Sequence, residues 1–284
     1  MQLGSLSVEL LSEGRFEIFG DGHINRAPED HYGSSDLRKS SDYNSVTVGI
    51  NPVLVQANEY NILLDSGLGW GLDADSSYTD VSNISTNLSI FDLKLDDITH
   101  VVLSHLHYDH AAGCSYTNTD QQTTATFPNA TYIVHQQEWE YALAQVDCEQ
   151  PLFGADYQLD DFYRLVADDR VEFLTGQQSE VQDGVTVIKT GGHTPGHQIV
   201  HLQSENKQAY FFGDLLPNSS QLNHYAMGGM DAHTIEAKKQ KMQLLKKACK
   251  DNAMLLFYHS RYGKVGQLVK NEDKQYTLTD VKQP

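Results

Sequence analysis

Hydrophobic residues along the chain come mainly in short runs that end in polar or glycine residues. Runs of this length, rich in β-branched residues, are typical of buried strands. They predict strands at 6–11, 15–19, 45–56, 60–64, 99–103, 130–134, 185–190, 198–202, 209–212 and 253–258. We expect the first two strands to pair as a hairpin, and we expect Asn58-Glu59 to form the turn after the third.

Helical periodicity is confined to three segments, 136–145, 156–167 and 231–250. The first is amphipathic and carries Trp139 and Leu143. The longest has its apolar positions at Ile235, Met242, Leu245 and Ala248, with lysines on the rest of its surface. Strands therefore dominate, helices are interspersed, and no linker divides the chain, which predicts a single domain over 1–284.

Two polar stretches interrupt this pattern. Residues 20–44 are too many for a simple connection, so they form either an active-site loop or a mobile surface loop. Residues 74–89 are rich in Ser, Thr, Asn and Asp and are predicted to be an irregular insertion. The tail from Arg261 onward is polar, with room for one closing strand.

The formal net charge is −18, which argues against DNA, RNA or an acidic membrane surface as partner and favours a small, neutral or weakly charged substrate. No apolar run is long enough to span a bilayer, and the first residues lack a basic-then-apolar signal pattern. We therefore expect a cytoplasmic protein. The three scattered cysteines contain no Cys-x-x-Cys pair and are expected to be reduced thiols.

The segment Ser104 to His110 concentrates three histidines and one aspartate directly after the predicted strand at 99–103. Imidazole nitrogens and carboxylate oxygens are the ligands that zinc and similar metals prefer. The alternative is a solvated polar loop, but such loops rarely concentrate histidine behind a β-branched strand. The segment therefore predicts part of a metal site.

Three more strand ends carry side chains of the same chemistry, at His193, Asp214 and His259. Glycines and a proline surround His193 in the turn 191–197, which constrains the backbone around that side chain. Asp65 also leaves the end of a strand. It either caps the strand or orients a metal-bound histidine through the second ring nitrogen.

Together these residues carry a family resemblance: Leu-Asp-Ser-Gly around Asp65, His-x-His-x-Asp-His from His105 to His110, Gly-His-Thr-Pro-Gly-His at 192–197, Gly-Asp at 213–214, and His259. Over residues 45–260 the chain resembles the metallo-β-lactamase fold superfamily of metal-dependent hydrolases. The resemblance implies a four-layer αββα sandwich of the α/β (α+β) class, with two mixed sheets face to face and helices outside.

The resemblance also implies two divalent metal ions, zinc first, with iron, manganese or cobalt as further candidates. One ion would be held by His105, His107 and His193, the other by Asp109, His110 and His259, with Asp214 bridging both. Asp65 and His197 would support these ligands from behind. A shared hydroxide would attack the substrate, and Asp109 would also serve as the catalytic proton-transfer group. A closed structural zinc site, the alternative, needs no bridging carboxylate.

Within the superfamily, the features around the motifs favour one branch. True β-lactamases of this fold usually lack the bridging Asp214, and glyoxalase II-like thioesterases append a helical region where only a short tail follows His259 here. The 20–44 loop, and the run 213–217 with the variable segment after it, resemble the lactonase and organophosphate-hydrolase-like branch. We therefore expect a lactonase or esterase, with quorum-quenching hydrolysis of N-acyl homoserine lactones as the candidate activity.

Some lactonases of this fold place a tyrosine three residues after the bridging aspartate, where this chain has Pro217. Tyr108, Tyr32 and Tyr225 are the candidate replacements for binding substrate. A glyoxalase II-like thioesterase, a phosphotriester hydrolase and an iron-binding member active in redox or sulfur chemistry stay open as alternatives. A homodimer is common among lactonase-like relatives and is possible here.

Overall fold

The computed structural model describes residues 1–19, 24–26, 45–69, 82–117, 122–146, 157, 159–160, 162–224 and 231–282. The predicted active-site loop at 20–44, apart from 24–26, lies outside these residues, as do Tyr32 and Tyr225. In the described part of the chain, no helix combines the length and the apolar character needed to cross a bilayer.

The strands are, in chain order, β1 (Gln2–Leu3), β2 (Leu6–Leu10), β3 (Gly14–Phe19), β4 (Ile24–Arg26), β5 (Ser45–Ile50), β6 (Val53–Ala57), β7 (Tyr60–Leu64), β8 (His100–Val102), β9 (Ser115–Thr117), β10 (Thr123–Ala125), β11 (Thr131–His135), β12 (Val171–Leu174), β13 (Gln178–Gln182), β14 (Val185–Lys189), β15 (Gln198–Ser204), β16 (Lys207–Phe211), β17 (Met254–Leu256), β18 (Val265–Lys270) and β19 (Tyr276–Lys282). The α-helices are α1 (Ile84–Ser89), α2 (Tyr108–Ala111), α3 (Gln136–Val146), α4 (Phe162–Ala167) and α5 (Thr234–Lys250). Short 3-10 helices cover Leu95–Asp97, Ala112–Cys114, Gly213–Leu215 and Ser219–Gln221.

Two seven-stranded mixed sheets form the centre of the molecule. The first has the order β1-β2-β6-β7-β8-β11-β12, and the second has the order β13-β14-β15-β16-β17-β18-β19. Strands β7, β8, β11 and β12 run parallel, as do β16 and β17, while the other pairs are antiparallel. Parallel strands end at the same edge of a sheet, so the segments that follow β7 and β8 lie side by side.

Alternation along the strands creates three buried layers. On β7, Ile62 and Leu64 point to the core between the two sheets, while Leu63 points to the opposite face. That opposite face is covered by α1, α3 and α4. The outer face of the second sheet is covered by α5, which packs Leu245 against it. The layers are therefore helix, sheet, sheet and helix, as the family resemblance implies.

The predicted hairpin of the first two strands is wrong. β2 pairs with β1 and β6, whereas β3 joins β4 and β5 in a separate three-stranded sheet. The single strand expected at 45–56 is likewise two strands, β5 and β6, separated by Asn51-Pro52. Proline has no N–H to donate to a ladder, which allows the chain to change partners there. The backbone N–H of Leu11 donates a hydrogen bond to the carbonyl of Pro52, and that of Glu13 donates to the carbonyl of Ile50. The segment between β2 and β3 is thus bonded to both sides of the same break.

The predicted face of α5 is only partly correct. Leu245 and Ala248 are buried, but Ile235 is 76% exposed and Met242 is 49% exposed. The helix instead buries Ala237, Lys241 and Leu244, which follow the helical period together with Leu245 and Ala248. Lys241 occupies this face because its aliphatic stem packs inward while its ammonium donates to the carbonyl of His224 at 2.8 Å.

Other boundaries differ where the sequence is polar. The stretch expected to be irregular contains α1, and the helix expected from residue 156 begins at Phe162 among the described residues. The tail contains two strands, β18 and β19. Strands β12 and β13 were not predicted. Both are edge strands, and β13 (Gln178–Gln182) has only one aliphatic residue, Val181.

Candidate metal centre

The predicted ligand residues meet where strand ends of the two sheets face each other. Asp65 follows β7 and the 104–110 segment follows β8, both in the first sheet. His193 lies between β14 and β15, and Asp214 and His259 follow β16 and β17 in the second sheet. All seven predicted ligands therefore come together, within three groups whose atoms could hold metal ions.

The first triad consists of His105, His107 and His193. Nδ1 of His107 lies 2.9 Å from Nε2 of His105 and 3.1 Å from Nε2 of His193, and all three rings are buried. A tetrahedral ion with zinc–nitrogen distances near 2.0–2.1 Å sets its ligand nitrogens roughly 3.3 Å apart. The three nitrogens therefore converge as the ligands of one ion do.

The second triad consists of Asp109, His110 and His259. Nε2 of His110 lies 3.2 Å from Nε2 of His259, and Oδ2 of Asp109 lies 3.3 Å from Nε2 of His259. The carboxylate is 3.8 Å from Nε2 of His110. Two imidazoles and one carboxylate thus face a common point.

Asp214 lies between the two triads. Its Oδ1 is 3.3 Å from Nε2 of His110 and 3.2 Å from Nε2 of His259. Its Oδ2 is 3.6 Å from Nε2 of His193 in the first triad. Each carboxylate oxygen therefore faces a different triad, which is the geometry of a bridging ligand.

The electrostatics of the site suit cations. Burial, followed by the neighbouring imidazoles, holds the pKa of His105 and of His107 well below the usual range, so their nitrogen lone pairs are available. Burial also acts to lower the pKa of His110 and of His259, but Asp109 and Asp214 outweigh it and raise both values. The carboxylates thus favour a positive charge at the second triad. The donor atoms of both triads therefore fit a divalent metal ion.

Groups behind the triads fix the orientation of the rings. Nδ1 of His110 lies 2.7 Å from Oδ2 of Asp65, and Nδ1 of His259 lies 2.9 Å from the carbonyl oxygen of Gly49. Nδ1 of His193 lies 3.1 Å from Oδ1 of Asp231. A partner on the second ring nitrogen fixes which nitrogen faces the centre.

His197 lies beside the centre, and its ring makes no hydrogen bond to a predicted ligand among the described residues. Its Nδ1 is 2.7 Å from Oγ1 of Thr190, and its ring centroid is 5.4 Å from that of His105. Its buried Nε2 has no hydrogen-bond partner in the described structure. Tyr108, the only described member of the three candidate tyrosines, is 8% exposed and belongs to the core between the sheets.

Two supporting residues were missed by sequence reasoning. Asp231, which meets His193, was assigned only to the start of a helix. Tyr258 stacks on His110 with ring centroids 4.1 Å apart, and its hydroxyl donates to the backbone carbonyl of Asp109 at 2.5 Å. The only sequence signal for Tyr258 was its position beside His259, and none identified Asp231.

Comparison with known sequences gives one family. The model of the Metallo-beta-lactamase superfamily matches residues 46–259. The N-acyl homoserine lactonase AttM of Rhizobium radiobacter is 29% identical over 171 residues, which are 57% of this chain and 58% of AttM. The N-acyl homoserine lactonase AiiA of Bacillus thuringiensis subsp. kurstaki is 30% identical over 39% of this chain and 35% of its own. The matches thus span less than two thirds of these curated relatives.

Solved structures show the same fold over the whole chain. A probable metal-dependent hydrolase from Staphylococcus aureus matches with a TM-score of 0.74 and 22% identity, covering 100% of both chains. AidC, a dizinc quorum-quenching lactonase, matches with a TM-score of 0.71 and 18% identity, covering 100% of this chain and 97% of AidC. At these identities the likeness establishes the fold.

Proposed function

Because the chain belongs to the metallo-beta-lactamase superfamily, we propose that it is a two-metal hydrolase that opens a lactone or a related ester. The observation that carries this proposal is the pair of triads with Asp214 between them. N-acyl homoserine lactones are the proposed substrate class, since the curated relatives AttM and AiiA are N-acyl homoserine lactonases.

In this proposal the first ion is held by the first triad, the second ion by the second triad, and both by Asp214. Five of the seven proposed ligands are imidazoles, which favours zinc over magnesium or calcium, because those two ions prefer oxygen ligands. Zinc is the proposed metal. Iron, manganese and cobalt accept the same ligands.

When bound, two such ions polarise the substrate carbonyl and lower the pKa of the water between them. Asp109 is suited to the proton transfer, because its side chain is 15% exposed while that of His110 behind it is fully buried. With one oxygen turned to the second triad, its other oxygen is left to take the proton of the attacking water. The water oxygen bonds to the carbonyl carbon, the ring C–O bond breaks, and the proton passes to the leaving oxygen, giving a hydroxy acid.

Pro217 stands where some lactonases of this fold have a tyrosine. The carbonyl of Pro217 accepts a hydrogen bond from the backbone N–H of His259 at 2.8 Å, so this position supports a ligand through its backbone. We propose that Tyr32 and Tyr225 supply substrate contacts, and that Tyr108, which is 8% exposed, reaches the substrate only with that exposed edge. A net charge of −18 favours an uncharged lactone over an anionic substrate.

A substrate panel tests the proposal. We expect the metal-loaded protein to hydrolyse N-acyl homoserine lactones faster than an aryl ester, S-lactoylglutathione or a phosphotriester. Asp109→Asn is expected to lower that rate at least about 100-fold, the lower range of a lost general acid–base group. Asp92→Asn, on the exposed surface, is the control. Full activity in Asp109→Asn would show that the site is misassigned, and bound iron without hydrolysis would favour the redox alternative.

Location and assembly stay predictions. We propose a cytoplasmic protein, built as one domain, that has no nucleic-acid or membrane partner and can form a homodimer. Light scattering during gel filtration measures the mass in solution directly. A mass of 31.8 kDa would be that of the monomer and would exclude the dimer under those conditions.

A further inference from the structure

Glu138 is a fully buried carboxylate in the first turn of α3. Its Oε1 accepts hydrogen bonds from the backbone N–H of Leu106 at 3.0 Å and from the hydroxyl of Tyr157 at 3.3 Å. Its Oε2 accepts a short hydrogen bond from the hydroxyl of Thr194. One side chain therefore connects three separate segments of the chain.

Two of those segments carry the whole first triad. Leu106 stands between His105 and His107, and Thr194 directly follows His193. Glu138 thus links, through hydrogen bonds, the 104–110 segment of the first sheet to the turn between β14 and β15 of the second sheet. The spacing between these two segments therefore sets how far the nitrogens of His105 and His107 lie from that of His193.

The turn itself sits directly against the start of α3. A Cβ added to Gly196 would lie 2.0 Å from the backbone nitrogen of Glu138, so only glycine allows this approach. The same turn therefore meets α3 through the Gly196 backbone and through the Thr194 side chain. This double contact leaves little freedom in where His193 lies relative to Glu138.

The apolar residues of α3 give this helix packing contacts of its own. Ala142 of α3 is buried in the outer core of the first sheet, and Trp139 packs against Phe162 and Phe173. Burying a carboxylate is costly, and burial raises the pKa of Glu138 while hydrogen bonds from Thr194 and Leu106 oppose the rise. An apolar residue would serve α3 at lower cost, which points to a role at the metal centre.

We propose that Glu138 is a positioning residue that sets the separation of His105 and His107 from His193, and so the metal affinity of the first triad. This inference rests on the proposed two-metal function. Glu138 touches none of the proposed ligand atoms and acts through Leu106 and Thr194. Its loss should affect the first triad and spare Asp109, His110 and His259.

Three substitutions separate the hydrogen bonds from the bulk of the side chain. Glu138→Leu removes both acceptors and keeps the volume. Glu138→Gln keeps an oxygen for Leu106 and Tyr157, and its amide can donate to Thr194 once that hydroxyl rotates. Thr194→Val removes one bond from the opposite side. Glu13→Leu is the matched control, since Glu13 is equally buried and accepts from Ser82 and Asn83, at 3.0 Å each.

The experiment is a zinc titration of metal-free protein against a chromophoric chelator, done in two backgrounds. His259→Ala leaves the first triad intact, and His193→Ala leaves the second intact. In the first background, Glu138→Leu is expected to weaken zinc binding about 10- to 100-fold, the range known for groups that orient ligands from behind. Glu138→Gln should restore most of this affinity, and Thr194→Val should lose part of it. In the second background none of them should change affinity.

Wild-type affinity of the first triad in both Glu138→Leu and Thr194→Val would overturn the inference. Equal losses in the two backgrounds, or the same losses in Glu13→Leu, would overturn it as well, since they indicate general destabilisation. If Glu138→Leu does not fold, Thr194→Val decides alone. A protein of natural sequence that binds neither zinc nor iron, manganese or cobalt would instead refute the proposed function, whatever the variants do.

Discussion

Oδ2 of Asp65 lies 2.7 Å from Nδ1 of His110, and both side chains are fully excluded from solvent. The same carboxylate accepts hydrogen bonds from the backbone N–H of Ser104 at 2.6 Å and from its hydroxyl at 2.8 Å. Asp65 therefore holds both the start of the ligand segment and one ring of the second triad. Its backbone is left-handed, with φ of 54°, a conformation that aspartate tolerates better than most residues.

Asp65→Asn is expected to weaken the second metal. Asparagine keeps the shape and tolerates the same backbone, but its amide NH₂ faces a donor in either orientation, the Ser104 N–H or the Nδ1–H of His110. We expect the affinity of the second triad to fall about 10- to 100-fold, measured by zinc titration in the His193→Ala background. Asp92→Asn, at an exposed aspartate with φ of 58°, controls for the backbone. Unchanged affinity would show that Asp65 only shapes the loop.

Gly213→Ala is expected to disturb the bridging aspartate that follows it. Gly213 has φ of 51°, and an added Cβ would lie 2.8 Å from Cβ of Ser104 and 2.9 Å from Nε2 of His197. The left-handed backbone alone costs about 1–2 kcal/mol for alanine, and the contacts add to that figure. Chemical denaturation measures the free energy of unfolding, and metal analysis measures whether Asp214 still serves both sites.

Gly263→Ala is the matched control for that substitution. It has φ of 60°, but among the described residues its added Cβ would meet only the tip of Val281, at 3.2 Å. We expect it to lose only the backbone contribution and to keep its full metal content. Equal effects of the two substitutions on metal content would show that crowding at Ser104 and His197 is unimportant.

Lys241→Met is expected to stabilise the protein at neutral pH. Burial lowers the pKa of Lys241 to about 8, from 10.5 in the unfolded chain. Between these values the unfolded state binds a proton that the folded state has released, so wild-type stability rises with pH there. The advantage of Lys241→Met should therefore be full below pH 8 and shrink as the pH rises toward 10.5.

Denaturation curves at several pH values measure this difference, with exposed Lys238→Met on the same helix as the control. If the free energies of unfolding of Lys241→Met and wild type differed by a constant amount across the pH range, burial of the charged ammonium would cost no stability.

How much of the fold could be predicted depended on how regular the hydrophobic pattern was. The β-branched run that became β14 and the run that became β8 were located almost to the residue, because both are apolar interior strands of their sheets. Edge strands such as β13 were missed because they bury little. Pairing of β3 with β5 could not be predicted, since it depends on a break at Asn51-Pro52 that reassigns partners between sheets.

The candidate ligand residues, which the structure brings together, could be selected because strand ends impose a joint pattern that separate histidines lack. Supporting residues could not, since their roles depend on distance alone. Asp231 reaches His193 across 38 residues of sequence, and Glu138 reaches Thr194 across 56. Glu138 lies in the first turn of α3, where an acidic residue is common for local reasons, and Asp231 lies three residues before α5.

The metal stoichiometry of the protein tests the central claim most directly. Metal-free protein is incubated with excess zinc, freed of unbound ions, and analysed for zinc per chain by mass spectrometry. We predict two zinc ions per chain, falling to one in His193→Ala and to one in His259→Ala. A natural protein that binds only one zinc ion and keeps it in both variants would contradict a two-metal centre built from these seven side chains. A protein that binds no ion at all would contradict it as well.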